Sequence, residues 1–117
     1  MRIPFEIKNV NDFNEAEGFL YLEESFLVIK VKEKILGVIP GDEKVIKVEP
    51  GVIQEIKLSQ GTFSDKLTIY SKKVELLDAV PGKHSTGVQL KVKRKYRREV
   101  ETFIEAVKAW KRRQSAE

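Results

Sequence analysis

Val88-Gln89-Leu90-Lys91-Val92-Lys93-Arg94-Lys95-Tyr96-Arg97-Arg98-Glu99-Val100-Glu101-Thr102-Phe103-Ile104-Glu105-Ala106-Val107 changes its hydrophobic period halfway along. From Val88 to Lys93 apolar and polar residues alternate, so an extended chain turns Val88, Leu90 and Val92 to one side and Gln89, Lys91 and Lys93 to the other. From about Tyr96 the apolar residues Tyr96, Val100, Phe103, Ile104 and Val107 recur at spacings of 4, 3, 1 and 3, which is one stripe of a helix with Trp110 at its margin. Arg98, Glu101, Glu105, Lys108 and Arg112 take the other side. A strand feeding an amphipathic helix near the chain end predicts a helix laid as a lid on a barrel or sandwich.

Upstream, the text reads as more strands. Gly18-Phe19-Leu20-Tyr21-Leu22 and Phe26-Leu27-Val28-Ile29-Lys30-Val31-Lys32, separated by Glu23-Glu24-Ser25, predict an antiparallel hairpin. Val45-Ile46-Lys47-Val48 and Val52-Ile53-Gln54-Glu55-Ile56-Lys57-Leu58 flank Pro50-Gly51, a turn dipeptide. Leu67-Thr68-Ile69-Tyr70 follows a turn at Gln60-Gly61, and a short apolar piece around Leu76-Leu77 precedes Pro81-Gly82. Residues 1–17 leave three readings open: Phe5, Ile7, Val10 and Phe13 dock as an extra strand, form a turn, or fray. The expected division is an N-terminal extension over 1–17, one domain over 18–113 and a tail over 114–117.

At 117 residues, 41% hydrophobic and 34% charged, the chain has the size and composition of one domain that folds alone. It has no cysteine, which excludes disulfides, thiolate ligands and a thiol nucleophile and leads to the expectation of a reducing, cytoplasmic setting. No apolar run approaches the roughly 20 residues of a membrane span, and no signal peptide or anchor is expected. The net charge of +4 is unevenly spread. Residues 1–82 carry 11 basic and 14 acidic groups, residues 83–117 carry 11 and 4, so the sums are −3 and +7. An anionic partner is expected near the C-terminal third.

The strand order, with Gly18-x-Leu20, Ile29-x-Val31, Leu36-Gly37-Val38, Lys44-Val45-x-Lys47-Val48, Ile53 ahead of Ile56-x-Leu58, Gly61-x-Phe63, Lys66-Leu67-x-Ile69, Leu77-x-x-Val80-Pro81-Gly82 and Val88-x-Leu90, resembles uncharacterised bacterial pleckstrin-homology (PH)-like proteins. The likeness covers about residues 18–107. It implies a mainly β fold, a seven-stranded PH-like barrel or sandwich capped by one C-terminal helix. It also implies a non-catalytic module that binds lipid head groups, peptides or its own copies. Lipid-binding PH domains resemble one another in a basic pocket around their first two strands. Here that hairpin tip is Glu23-Glu24-Ser25, whose carboxylates would repel a phosphorylated head group.

Residues that could carry chemistry are few. His84, the one histidine, has no further ligands at metal-site spacing. Glu23-Glu24 and Asp42-Glu43 are adjacent acids, which on extended chain alternate sides and do not converge for acid–base work. The glycines lack GxGxxG or GxxxxGK[ST] spacing. Neither catalysis nor a cofactor is expected. Two binding features remain. Ile35-Leu36-Gly37-Val38-Ile39 is apolar where a polar loop is expected, so Ile35, Leu36, Val38 and Ile39 either cap an open end of the barrel or form an exposed interface patch. The run from Lys91 to Arg98 places six cations in eight residues, over the end of a strand and the start of a helix, where the dipole disfavours cations. Lys91, Lys93, Lys95 and Arg98 are the candidate anion-binding residues. In the plainer account Arg97 and Arg98 pair with Glu101 and the lysines solvate the strand.

The function expected is a PH-like binding or scaffolding module for a protein partner or for its own copies. The alternatives are a domain peripheral to an anionic membrane through the basic run, and a small-barrel nucleic-acid binder. The last is disfavoured because only Tyr96 is interleaved with the cations, and the helical stripe takes it inward.

Overall fold

The computed structural model describes residues 2–8, 14–24, 26–35, 39–82 and 87–116. In chain order they form β1 (Ile3–Ile7), β2 (Asn14–Glu23), β3 (Phe26–Ile35), β4 (Ile39–Val48), β5 (Ile53–Ser59), β6 (Ser64–Ser71), the short helix α1 (Val74–Ala79), β7 (Val88–Lys93) and the long helix α2 (Arg97–Ala116). Single 3-10 turns occupy Pro50–Val52 and Arg94–Tyr96. The fold is mainly β with one long C-terminal helix, as the change of period from 88 onward predicts.

The seven antiparallel strands lie in the order β4-β3-β2-β1-β7-β6-β5. The two edge strands, β4 and β5, are consecutive in the chain and only residues 49–52 separate them. Four residues cannot span a flat seven-stranded sheet, whose edges would lie about 29 Å apart at roughly 4.8 Å per step. The sheet is therefore rolled until its edges meet at that corner, a sandwich-like form left unclosed. Pro50 is buried there, and Lys72 donates its N–H to the Val52 carbonyl at 2.8 Å.

Residues 3–7 form the strand that the sequence leaves open. Ile3, Phe5 and Ile7 face inward, and β1 sits between β2 and β7. The apolar piece at Leu76-Leu77 is helical, within α1, so the seventh strand lies at the N-terminal end of the chain. With β1 in place, Glu23 and Glu24 close the second hairpin, where Glu24 takes a left-handed φ of 48°. Gly18, facing inward opposite Phe5 and Val31, permits a close crossing, since a Cβ there would come 1.8 Å from the Lys30 carbonyl oxygen.

The core joins the inward faces of both halves of the sheet, with Leu20, Ile29, Leu67, Ile69, Val88, Leu90 and Val92 fully buried. Val100, Phe103, Ile104 and Val107 of α2 complete it, and the helix packs on the Pro50–Val52 turn and β5. Each such side chain contributes roughly 1.5–3 kcal/mol when buried. That outweighs the few tenths of a kcal/mol that each cation costs at the helix start. No described helix is long and apolar enough to cross a membrane.

Candidate functional site

The outward face of the sheet carries the charges, and its ladders fix which of them meet. One cross-strand row runs Glu43, Lys32, Glu17, Glu6, Lys91, Lys66, each residue opposite the next on a neighbouring strand. Its two acids in the middle are like charges side by side, an arrangement that costs energy. Nearby cations answer them: Lys8, just past the end of β1, bridges Glu6 at 3.4 Å, and Lys34 of β3 bridges Glu17 at 2.9 Å. Lys91 and Lys66 are likewise side by side, and no carboxylate among the described residues comes within 4 Å of either ammonium group.

A second row lies beside the first: Val45, Lys30, Phe19, Pro4. Extending the Glu6–Lys91 pairing by two residues brings Pro4 opposite Lys93. Pro4 has no N–H, and β1 and β7 share that one register pair. Beyond that pair no ladder partner joins β1 to β7 among the described residues, and a groove of about 380 Å³ lies over the seam. Pro4, Phe19, Tyr96, Lys32, Lys91 and Lys93 are among its walls. Phe19 is 41% exposed within it. Lys30 is tied to Glu43 at 3.5 Å, whereas Lys32, Lys91 and Lys93 have no ion pair among the described residues. A second depression, about 570 Å³, adjoins it across Glu6 and Lys91 and includes Lys66, Ser59 and Ser64.

Of the four anion-binding candidates, Lys91 and Lys93 enter the groove. Lys95 lies with its ammonium 5.1 Å from the centre of the Tyr96 ring, and Arg98 sits exposed on the first turn of α2, away from the groove. Lys32 and Lys66 were not singled out by the sequence, because only the β2–β3 and β6–β7 registers bring them in. Of the interface candidates, Ile35 is 41% exposed and opposite Ile39 at the end of the β3–β4 hairpin. Leu36 and Val38 lie outside the described residues, as does the side chain of Ile39. His84 lies outside them too.

The cations at the start of α2 have a partner that the sequence does not announce. Asp65, in β6 on the inward face opposite Val92, has no exposed side-chain surface. Arg97 donates to both of its oxygens, Nε to Oδ2 and Nη2 to Oδ1, each at 2.8 Å. The Gly61 N–H adds a third bond to Oδ1 at 3.1 Å. The Arg97 hydrogen bonds, then the Gly61 N–H, hold the Asp65 carboxyl below its ordinary value against the opposing effect of burial. The same hydrogen bonds raise Arg97. Arg97 also donates to the Gly61 carbonyl, and Arg94 to that of Thr62, each at 3.3 Å. The β5–β6 turn is thereby fastened to the helix start, with Phe63 at its tip 90% exposed.

Among the described residues no three His, Cys, Asp or Glu side chains gather as a metal site. Set against protein-family models, curated proteins and solved structures, the chain matches none.

Proposed function

We propose that this chain is a non-catalytic, PH-like binding module that takes an acidic segment of a protein partner in the groove over the β1–β7 seam. The observation that carries the reading is the trio Lys32, Lys91 and Lys93, without ion-pair partners among the described residues, beside the exposed ring of Phe19. Like charges set side by side, Lys91 against Lys66, cost folding energy that a bound anion returns. The carboxylates that also line the groove, Glu6, Glu17 and Glu43, are answered by Lys8, Lys34 and Lys30, so an acidic stretch carrying an aromatic or aliphatic residue fits it: its carboxylates meet the three lysines and its apolar side chain meets Phe19 and Pro4. A cytoplasmic location belongs to this proposal as well.

The test is calorimetric titration with a synthetic ten-residue peptide of Glu, Asp and Phe, at two salt concentrations. Binding that weakens with salt is expected, since exposed charges act over about 8 Å at physiological ionic strength. It should be abolished in Lys32→Gln/Lys91→Gln/Lys93→Gln, which removes the charges without setting new acids beside Glu6, Glu17 and Glu43, while the unfolding midpoint stays close to wild type. Equal binding by wild type and the triple variant overturns the reading.

A second reading, peripheral attachment to an anionic membrane, is favoured by Phe63. An exposed ring beside Lys93 and Arg94 suits the interface between head groups and acyl chains. Vesicles containing phosphatidylserine should then bind wild type and lose Phe63→Ala. Vesicle binding without peptide binding makes this second reading the function.

A further inference from the structure

We infer that the free edge of β4 pairs with the same edge of a second copy of this chain, antiparallel and centred on Val45. This is a specific form of self-association, and it rests on reading the chain as a protein-binding module. Its test needs no peptide, so its failure and that of the groove reading are separable.

The sheet has two edges, and they are guarded unequally. On β5 the register slips between Ile53 and Glu55, α2 packs against the strand, and Lys111 donates to the Gln54 carbonyl at 2.8 Å. A bulge, a covering helix and a lysine on the edge are devices that keep a strand from pairing further. On β4 the slip in the β3–β4 register falls between Lys32 and Lys34, near the hairpin end. From Glu43 to Val48 the ladder is regular, and among the described residues β3 is the sole partner of β4. Glu43, Lys44, Val45 and Lys47 are exposed, Val45 by 54%.

The register follows from faces and charge. Two copies related by a two-fold axis perpendicular to the sheet must set residues of the same face opposite each other, so the axis lies midway between the two copies of one residue. An axis at Lys44 puts Lys44 against Lys44 and Asp42 against Ile46. An axis at Ile46 puts Glu43 against Glu49. An axis at Val45 puts Glu43 against Lys47 twice, Lys44 against Ile46, and the exposed Val45 against itself, with Asp42 and Val48 opposite only at the fraying ends. The Val45 register alone matches charge and apolar surface together. It also continues the row Val45, Lys30, Phe19 into the second copy, so the outward face becomes one surface.

Sedimentation equilibrium of wild type, Glu43→Lys, Lys47→Glu, their equimolar mixture and the double variant Glu43→Lys/Lys47→Glu tests the register. Far-UV circular dichroism confirms that each is folded. Wild type is expected to dimerise, and each single variant, which sets two like pairs in place of two opposite ones, to weaken that by on the order of tenfold or more. The mixture should associate, because each copy then offers the charge that the other lacks. The double variant should also dimerise. A wild type that stays monomeric at millimolar concentration overturns the proposal. So do single variants that dimerise as wild type does, or a mixture that fails to associate.

Discussion

A carboxylate with no exposed surface depends on the groups that answer its oxygens, and Asp65 has two N–H donors of Arg97 and one of Gly61. Removing the arginine leaves a buried charge, while Asp65→Asn leaves a neutral amide facing a guanidinium that water can still reach, since the Arg97 side chain is 24% exposed. Arg97→Ala should therefore lower the urea midpoint more than Asp65→Asn. The carboxyl is held below its unfolded value, so its contribution is complete above about pH 3.9 and drains away as pH falls through the folded value. Urea midpoints from pH 7 to 2 should show that acid loss in wild type and a shallower one in Asp65→Asn. Identical profiles would mean that the pair does not set the acid limb. The sequence hides this pair because Asp65 and Arg97 are 32 residues apart. Its faint mark is an Asp at inward parity, two places ahead of Leu67 and four ahead of Ile69.

At the scale of elements, periodicity was the readable part. β7 and α2 follow from alternation giving way to a helical stripe, and Phe103, 3% exposed, is where that stripe meets the sheet. Phe103→Ala should cost about 3–5 kcal/mol, measured by urea unfolding. A loss under about 1 kcal/mol would place α2 off the core. β1 is open in the sequence because a five-residue strand with a proline at its second position carries little pattern of its own; its place is fixed by partners in β2 and β7 that lie up to 17 and 85 residues away. Leu76-Leu77 misled in the other direction, since a short apolar run suits a strand or a helix. The groove was half legible for the same reason. Parity within β7 turns Lys91 and Lys93 outward, but their neighbours Lys32, Lys66 and Phe19 arrive through ladders that no local reading contains.

For the whole molecule, the rolled sheet consists of two local meanders, β1–β4 and β5–β7 with α2, that among the described residues share one hydrogen-bonded seam and are joined in the chain at 49–52. Ladder pairs elsewhere join residues at most 29 apart (64 to 93), against 85 for Glu6 and Lys91. Neither half can bury its inward face alone, so each is in effect a ligand for the other. A tether this short holds such partners at an effective concentration of about millimolar, which makes their docking independent of how dilute the protein is. Cutting the joint should abolish that independence. With a protease site inserted after Gly51, in the Lys47→Glu background so that pairing of copies does not intervene, the intact chain should melt at one temperature at any concentration. The cleaved chain should melt lower with each dilution, as a complex of two molecules does. A melting temperature that ignores dilution after cleavage would mean that one half folds by itself. The four residues at the corner would then be a connection and no longer the source of the molecule's unity.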